Sequence, residues 1–132
     1  NFLGWNAGAS ASYANQSNFF GTNAGISASS AAQSNFFGTN AGVYATNAWN
    51  SNFIGYQAGY SASAASYSTL IGYNAGIRSS SLAGIGTNNI IIGTNITLAD
   101  NTTNALNIGG LIFGSNGRLE TNSVLMPAKR LN

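Results

Sequence analysis

A glycine recurs every 17 residues in the first half of the chain, and this period constrains the fold more than any other feature. Each unit begins with Asn or Thr, two apolar residues and Gly. It continues with Asn or Gln, Ala and a second Gly, followed by alternating small residues. Five units cover residues 1–85, and we number the places of the unit 1 to 17. A fixed period of this length indicates a stacked repeat architecture.

The unit is too short and too rich in glycine for a helical repeat. A helical hairpin needs more residues, and each Gly inside a helix costs about 1 kcal/mol. Short β-segments broken by Gly fit a coil of two or three strands that stacks on the next coil. The sequence therefore predicts an all-β fold, a parallel β-solenoid (β-roll) of 17-residue coils over 1–85. We expect an irregular continuation over 86–117 and a cap, neck or linker over 118–132.

Small residues at fixed places predict where the coil is narrow. The glycines at places 4 and 8 are expected to adopt positive φ or to allow close backbone approach at corners. The invariant alanines at place 7 fit a narrow interior site. The amides at place 6 are expected to stack as a hydrogen-bonded ladder, with solvated turn residues as the alternative. These sets are, at place 4, Gly4, Gly21, Gly38, Gly55 and Gly72; at place 8, Gly8, Gly25, Gly42, Gly59 and Gly76; at place 7, Ala7, Ala24, Ala41, Ala58 and Ala75; and at place 6, Asn6, Asn23, Asn40, Gln57 and Asn74.

Two neighbouring apolar columns predict self-association. Place 2 holds Phe2, Phe19, Phe36, Phe53 and Leu70, and place 3 holds Leu3, Phe20, Phe37, Ile54 and Ile71. Adjacent strand residues point to opposite faces, so one column fills the coil and the other projects outwards. We expect the column of four Phe and one Leu to form the outward stripe, at about 1.5–3 kcal/mol for each side chain that a partner buries. The alternative is a corner or bulge that turns both columns inward.

The composition excludes several functional classes. Only 5% of residues are charged and none of them lies before Arg78, so no basic stripe for nucleic acid is present. The chain has no His and no Cys, and Asp100 and Glu120 are its only carboxylates. We therefore expect no enzyme activity, no metal site and no cofactor. No apolar run reaches the length of about 18 residues that a membrane span needs.

Aromatic residues outside the two apolar columns suggest a second role. They are Trp5, Tyr56 and Tyr73 at place 5, and Tyr13, Tyr44, Trp49, Tyr60 and Tyr67 elsewhere. Aromatic rings beside Asn and Ser can stack on the sugar rings of a receptor or polysaccharide. Packing between coils or protomers is the alternative interpretation.

Parts of the chain resemble known fibre proteins. The segments FFGTNAGIS (Phe19–Ser27) and FIGYQAGYS (Phe53–Ser61) resemble the head repeat of trimeric autotransporter adhesins, the YadA-like heads, although the period of 17 is longer. GTNNIIIGTN and NALNIGGLIFGSNG, in the second half, look like segments of phage tail fibres and bacterial surface proteins. Both resemblances imply a homotrimeric, left-handed parallel β-roll fibre on a cell surface or virion.

The leading hypothesis is therefore a structural segment of an extracellular adhesive fibre that binds copies of itself and carries or displays contacts for a cell-surface or polysaccharide receptor. The alternative is a secreted filament subunit, similar in logic to curli, whose coils stack end to end. A third hypothesis is an ice-binding solenoid. It is weakened by place 5, where Thr22 and Thr39 alternate with Trp5 and Tyr56 and so interrupt a flat Thr face.

Overall fold

A single sheet runs the length of the molecule in the computed structural model, which describes residues 1–77, 84–115 and 118–121. Its nine strands follow one another in chain order. They are β1 (Phe2–Leu3), β2 (Asn18–Phe20), β3 (Asn35–Phe37), β4 (Asn52–Ile54), β5 (Thr69–Ile71), β6 (Ile90–Ile92), β7 (Ala105–Ile108), β8 (Ile112–Ser115) and β9 (Arg118–Thr121). The described residues contain no helix.

The strands β1 to β7 are parallel, with one short strand for each coil. Phe2 pairs with Phe19 and Phe19 with Phe36, so each residue faces its equivalent 17 residues later. The predicted parallel β-solenoid is therefore confirmed, with about six coils. Fewer strands form in each coil than the two or three expected, because most of the coil is made of turns.

Consecutive turns replace strands on the far side of the coil. In coil 1 the N–H groups of Ala7, Ala9 and Ala11 donate to the carbonyls of Gly4, Asn6 and Gly8 at 3.0–3.2 Å. The third residue of each turn, at places 6, 8 and 10, has a positive φ, between 54° and 69° in coil 1. A positive φ at this position defines type II geometry and favours Asn and Gly. The sequence pattern N-A-G-x-S thus encodes a chain of turns.

Most remaining backbone groups bond to the neighbouring coil. Gly25 N–H donates to Ala41 O at 2.8 Å, and Asn40 N–H donates to Thr22 O at 2.9 Å. Equivalent hydrogen bonds recur in successive coils, so both the turns and the strands of a coil are bonded to the next coil. Hydrogen bonding between coils therefore holds the whole circumference of the coil.

The core is a narrow column of one large and several small side chains. The place-2 residues Phe19, Phe36, Phe53 and Leu70 are fully buried, and the phenyl rings stack at 4.7 Å with nearly parallel planes. Alanines at places 7, 11 and 14 surround them and are also buried from coil 2 to coil 4. The prediction that the column of four Phe and one Leu projects outwards is therefore wrong: it fills the coil.

A buried serine at place 17 completes the core. The Oγ of Ser34 accepts from Ser51 N–H at 3.0 Å and donates to Ala48 O in the next coil. Ser17 and Ser51 make both equivalent contacts, and the Oγ of Ser68 accepts from Asn89 N–H. The hydroxyl column satisfies backbone groups that would otherwise be buried without a partner.

The regular stack changes in the second half. The fifth coil, from Thr69 to Asn89, is four residues longer than the 17-residue coils before it, and β6 still pairs with β5 in parallel. Asn89 replaces the serine of place 17, and its amide joins Ile85, Thr102 and Ala105. β8 and β9 then fold back antiparallel. The parallel stack therefore ends at β7, before residue 117. Residues 122–132 of the expected cap lie outside the described residues.

Candidate functional site

The outer side of the sheet carries the most distinctive exposed surface of the rod. Side chains at places 1 and 3 point away from the core, because they flank the buried place 2 on a strand. We call the surface formed by Asn18, Asn35 and Asn52 with Phe20, Phe37, Ile54 and Ile71 the outer sheet face. It belongs to β2, β3, β4 and β5 and combines an apolar column with an amide column.

The apolar column of the outer sheet face is only partly covered. Ile54 is 41% exposed, while Phe20, Phe37 and Ile71 are half-buried. The rings of Phe20 and Phe37 stack with centroids 5.0 Å apart, so the column is ordered by contacts within the rod. It forms a straight apolar ridge, which is a surface that soluble monomers rarely leave in water.

The amide column beside it is a hydrogen-bonded ladder. The Nδ2 of Asn1 donates to Asn18 Oδ1, Asn18 donates to Asn35, and Asn35 donates to Asn52, each at 2.8 Å. The ladder ends where Thr69 takes the place of Asn. Each inner amide uses one N–H and one lone pair in the ladder, and an amide has two of each. Polar groups therefore remain for water or for a partner.

The place-6 amides, which the sequence predicted as a ladder, form only pieces of one. Asn23 donates to Asn40 at 3.0 Å and Asn74 donates to Asn95 at 2.8 Å. Gln57 makes no such bond to another described residue, and the buried Oδ1 of Asn74 has no hydrogen-bond partner. The continuous ladder at place 1 was missed, although the repeated Asn at 1, 18, 35 and 52 is visible in the sequence.

The turn glycines lie against the core and between coils. Gly21 has a φ of 135°, and a Cβ there would lie 2.6 Å from the backbone of Gly38. At place 8 the space beside the glycine is taken by a core side chain, because a Cβ on Gly25 would lie 2.4 Å from the ring of Phe19. These positions shape the coil and contribute no side chain to the outer surface.

Exposed aromatic side chains occupy two other parts of the surface. Trp5 is 76% exposed, and Tyr56 and Tyr73 stack at 5.1 Å on the same place-5 column. Tyr13 and Trp49 line an open groove of about 410 Å³ together with Asn15, Ser30 and Ala32. The sequence named both tyrosine and tryptophan as candidates but could not place them in one groove.

The described residues show neither a metal-binding cluster nor a membrane-spanning helix. Residues 1–77, 84–115 and 118–121 hold no group of three His, Cys, Asp or Glu side chains that could bind a metal. None of these residues forms a helix long and apolar enough to cross a membrane. The chain matches no protein-family model, no curated protein and no solved structure.

Proposed function

We propose that the chain is a structural segment of an extracellular fibre that associates with copies of itself through the outer sheet face. The observation that carries the proposal is the ordered apolar ridge of Phe20, Phe37, Ile54 and Ile71 beside an amide ladder. A second copy of the same face offers matching apolar and amide columns at the same spacing. Contact between such faces around a shared axis excludes water, as do the dry interfaces between sheets in steric zippers.

The absence of charge on this half of the chain supports the same proposal. Residues 1–77 contain no charged side chain, so two copies meet without the desolvation of charges and without repulsion. Fully burying an exposed apolar side chain is worth about 1.5–3 kcal/mol, and each ridge residue, which the rod already covers in part, gains a fraction of this value. The amide ladder makes the contact between copies specific, because its remaining N–H groups and lone pairs need hydrogen-bond partners when the contact buries them.

The shape of the repeat supports the proposed fibre role. A coil that contacts only its neighbours makes a rod whose length grows with the number of coils. Such a rod can cover a long distance with a small set of residue types. A structural role of this kind needs no catalytic residues. The resemblance to trimeric adhesin heads favours a homotrimer at a cell surface or virion, with the outer sheet faces directed to the axis.

Analytical ultracentrifugation of the chain tests the proposal. A homotrimer sediments at three times 13.5 kDa, and the double variant Phe20→Ser/Phe37→Ser should shift it to the mass of one chain. Tyr44→Ser, which removes an exposed ring elsewhere on the rod, is the matched control and should leave the assembly intact. Growth without limit as concentration rises would instead favour end-to-end filaments, and a stable monomer of the unmodified chain would refute self-association.

A further inference from the structure

A groove on another side of the rod separates Tyr13 and Trp49. Tyr13 lies in coil 1 and Trp49 in coil 3, while Ser30 and Ala32 of coil 2 lie between them and Asn15 adds to the lining. The two aromatic side chains are 68% and 49% exposed. The lining belongs to places 13 and 15, so it shares no residue with the outer sheet face.

The dimensions of the groove fit one ring of a flat or nearly flat ligand. Neighbouring coils stack rings 4.7 Å apart, so Tyr13 and Trp49, two coils apart, are separated by roughly 9 Å along the rod, and they are also offset across it because they occupy places 13 and 15. A ring in van der Waals contact on both sides needs about 7–8 Å, at about 3.5–4.0 Å for each contact. The small side chains of Ser30 and Ala32 leave this space open, whereas a large residue in coil 2 would close it.

The backbone around the groove is fixed before any ligand binds. Gln33 N–H donates to Asn15 O at 2.8 Å, Ala48 N–H donates to Ser30 O at 3.0 Å, and Asn50 N–H donates to Ala32 O at 3.0 Å. These bonds between coils hold the lining in place. A preformed site loses less conformational entropy on binding than a flexible one.

The chemistry of the lining fits a neutral ligand that combines an apolar face with hydroxyl groups. No residue of the lining is charged, and no charged residue occurs in residues 1–77. The Asn15 amide and the Ser30 hydroxyl make no hydrogen bond to another described residue, so both can serve hydroxyl groups of a ligand. Aromatic rings offer flat apolar faces to the C–H side of a sugar ring.

We propose that this groove binds one pyranose ring of a neutral polysaccharide, in contact with the aromatic side chains of Tyr13 and Trp49 and hydrogen-bonded by Asn15 and Ser30. This gives the rod a binding site in addition to its structural role, and the site does not depend on self-association. An anionic glycan is disfavoured, because the groove offers no cation to its carboxylate or sulfate groups.

Titration with defined hexasaccharides tests the site. The probes are the β-1,4-linked hexamers of glucose, mannose, xylose and N-acetylglucosamine. In a Trp5→Phe background Trp49 is the only tryptophan, so a bound sugar should change its fluorescence. At least one probe should bind in the millimolar range or tighter. The proposal is overturned if none of the four changes the emission or releases heat in calorimetry.

Substitutions in the groove distinguish binding there from binding elsewhere. Calorimetric affinity for the bound probe should fall about tenfold or more in Trp49→Ala and Tyr13→Ala. Ala32→Leu, which keeps both rings and fills the space between them, should weaken binding similarly. Trp5→Ala is the matched control for Trp49→Ala and should bind as the unmodified chain does. Equal affinity in all variants would overturn the proposal.

The same titration separates this site from the proposed fibre interface. Phe20→Ser/Phe37→Ser, designed to prevent self-association, should retain the affinity of the unmodified chain, because these side chains lie on the outer sheet face. Circular dichroism of every variant checks that the solenoid is intact. Loss of binding in this double variant, with an intact solenoid, would contradict a groove formed within one chain.

Discussion

Place 8 accepts only glycine because two separate constraints meet there. Gly42 has a φ of 66°, a region that side chains with a Cβ disfavour. A Cβ would also lie 2.3 Å from Cδ2 of Phe36. That ring stacks at 4.7 Å on both Phe19 and Phe53 and therefore cannot move aside along the rod. One place thus combines backbone strain with a steric clash.

Gly42→Ala separates these constraints when it is compared with Gly109→Ala. Gly109 also has a positive φ, of 60°, but a Cβ there meets no atom within 4 Å. We expect Gly109→Ala to cost about 1–2 kcal/mol, from backbone strain alone. Gly42→Ala should cost about 1–3 kcal/mol more, from overpacking. Urea denaturation followed by circular dichroism measures both, and equal midpoints would show that the ring adapts.

At the scale of the strand, the period was readable from the sequence but the inward column was not. The glycine spacing predicted parallel stacked coils, and the invariant Ala predicted their narrow interior. The two apolar columns at places 2 and 3 obey the same alternation, and alternation does not say which face is inside. The glycine at place 8 was the missing signal, since it makes room for the ring of place 2. The sequence also predicted an irregular continuation after residue 85, and the four extra residues of the fifth coil account for the irregularity, because Ile91 pairs with Leu70 at a spacing of 21.

The buried column gives a second prediction at this scale. Phe36→Ala should destabilise the solenoid by about 3–5 kcal/mol, because it leaves a cavity between two stacked rings. Phe36→Leu should cost below about 1.5 kcal/mol, because Leu70 already occupies the same column fully buried. Thermal or urea unfolding ranks these variants. Phe37→Ala is the control on the outer face and should weaken association far more than it weakens folding.

At the scale of the whole molecule, stacking each place on itself explains the composition. A charged residue repeated at one place would form a column of like charges about 4.7 Å apart, whose repulsion weakens the stack. Asn, Ser and Thr avoid this cost, and Asn also bonds to its own copy, as at place 1. Polar but uncharged residues therefore dominate where the stack is regular. The groove and the outer sheet face are built from these regular coils, so neither carries a charged side chain.

Because each coil contacts mainly its neighbours, the rod should tolerate the loss of a whole coil. Deleting residues 35–51 joins Ser34 to Asn52 and brings β2 beside β4, with Asn18 opposite Asn52 and Phe19 opposite Phe53. The columns of Ser, Ala and Phe then continue across the deletion site without a change of register. We expect the same circular dichroism spectrum per residue and a modest loss of stability, as in other linear repeats.

A deletion of residues 35–42 removes fewer residues but shifts the phase of the repeat, so that places 9 to 17 follow Ser34 directly. Buried Phe and Ala would then face places built for turns, and this variant should lose the β-spectrum and its cooperative unfolding. If both deletions unfolded alike, stability would depend on contacts beyond neighbouring coils, and the description of the molecule as a linear stack would be wrong.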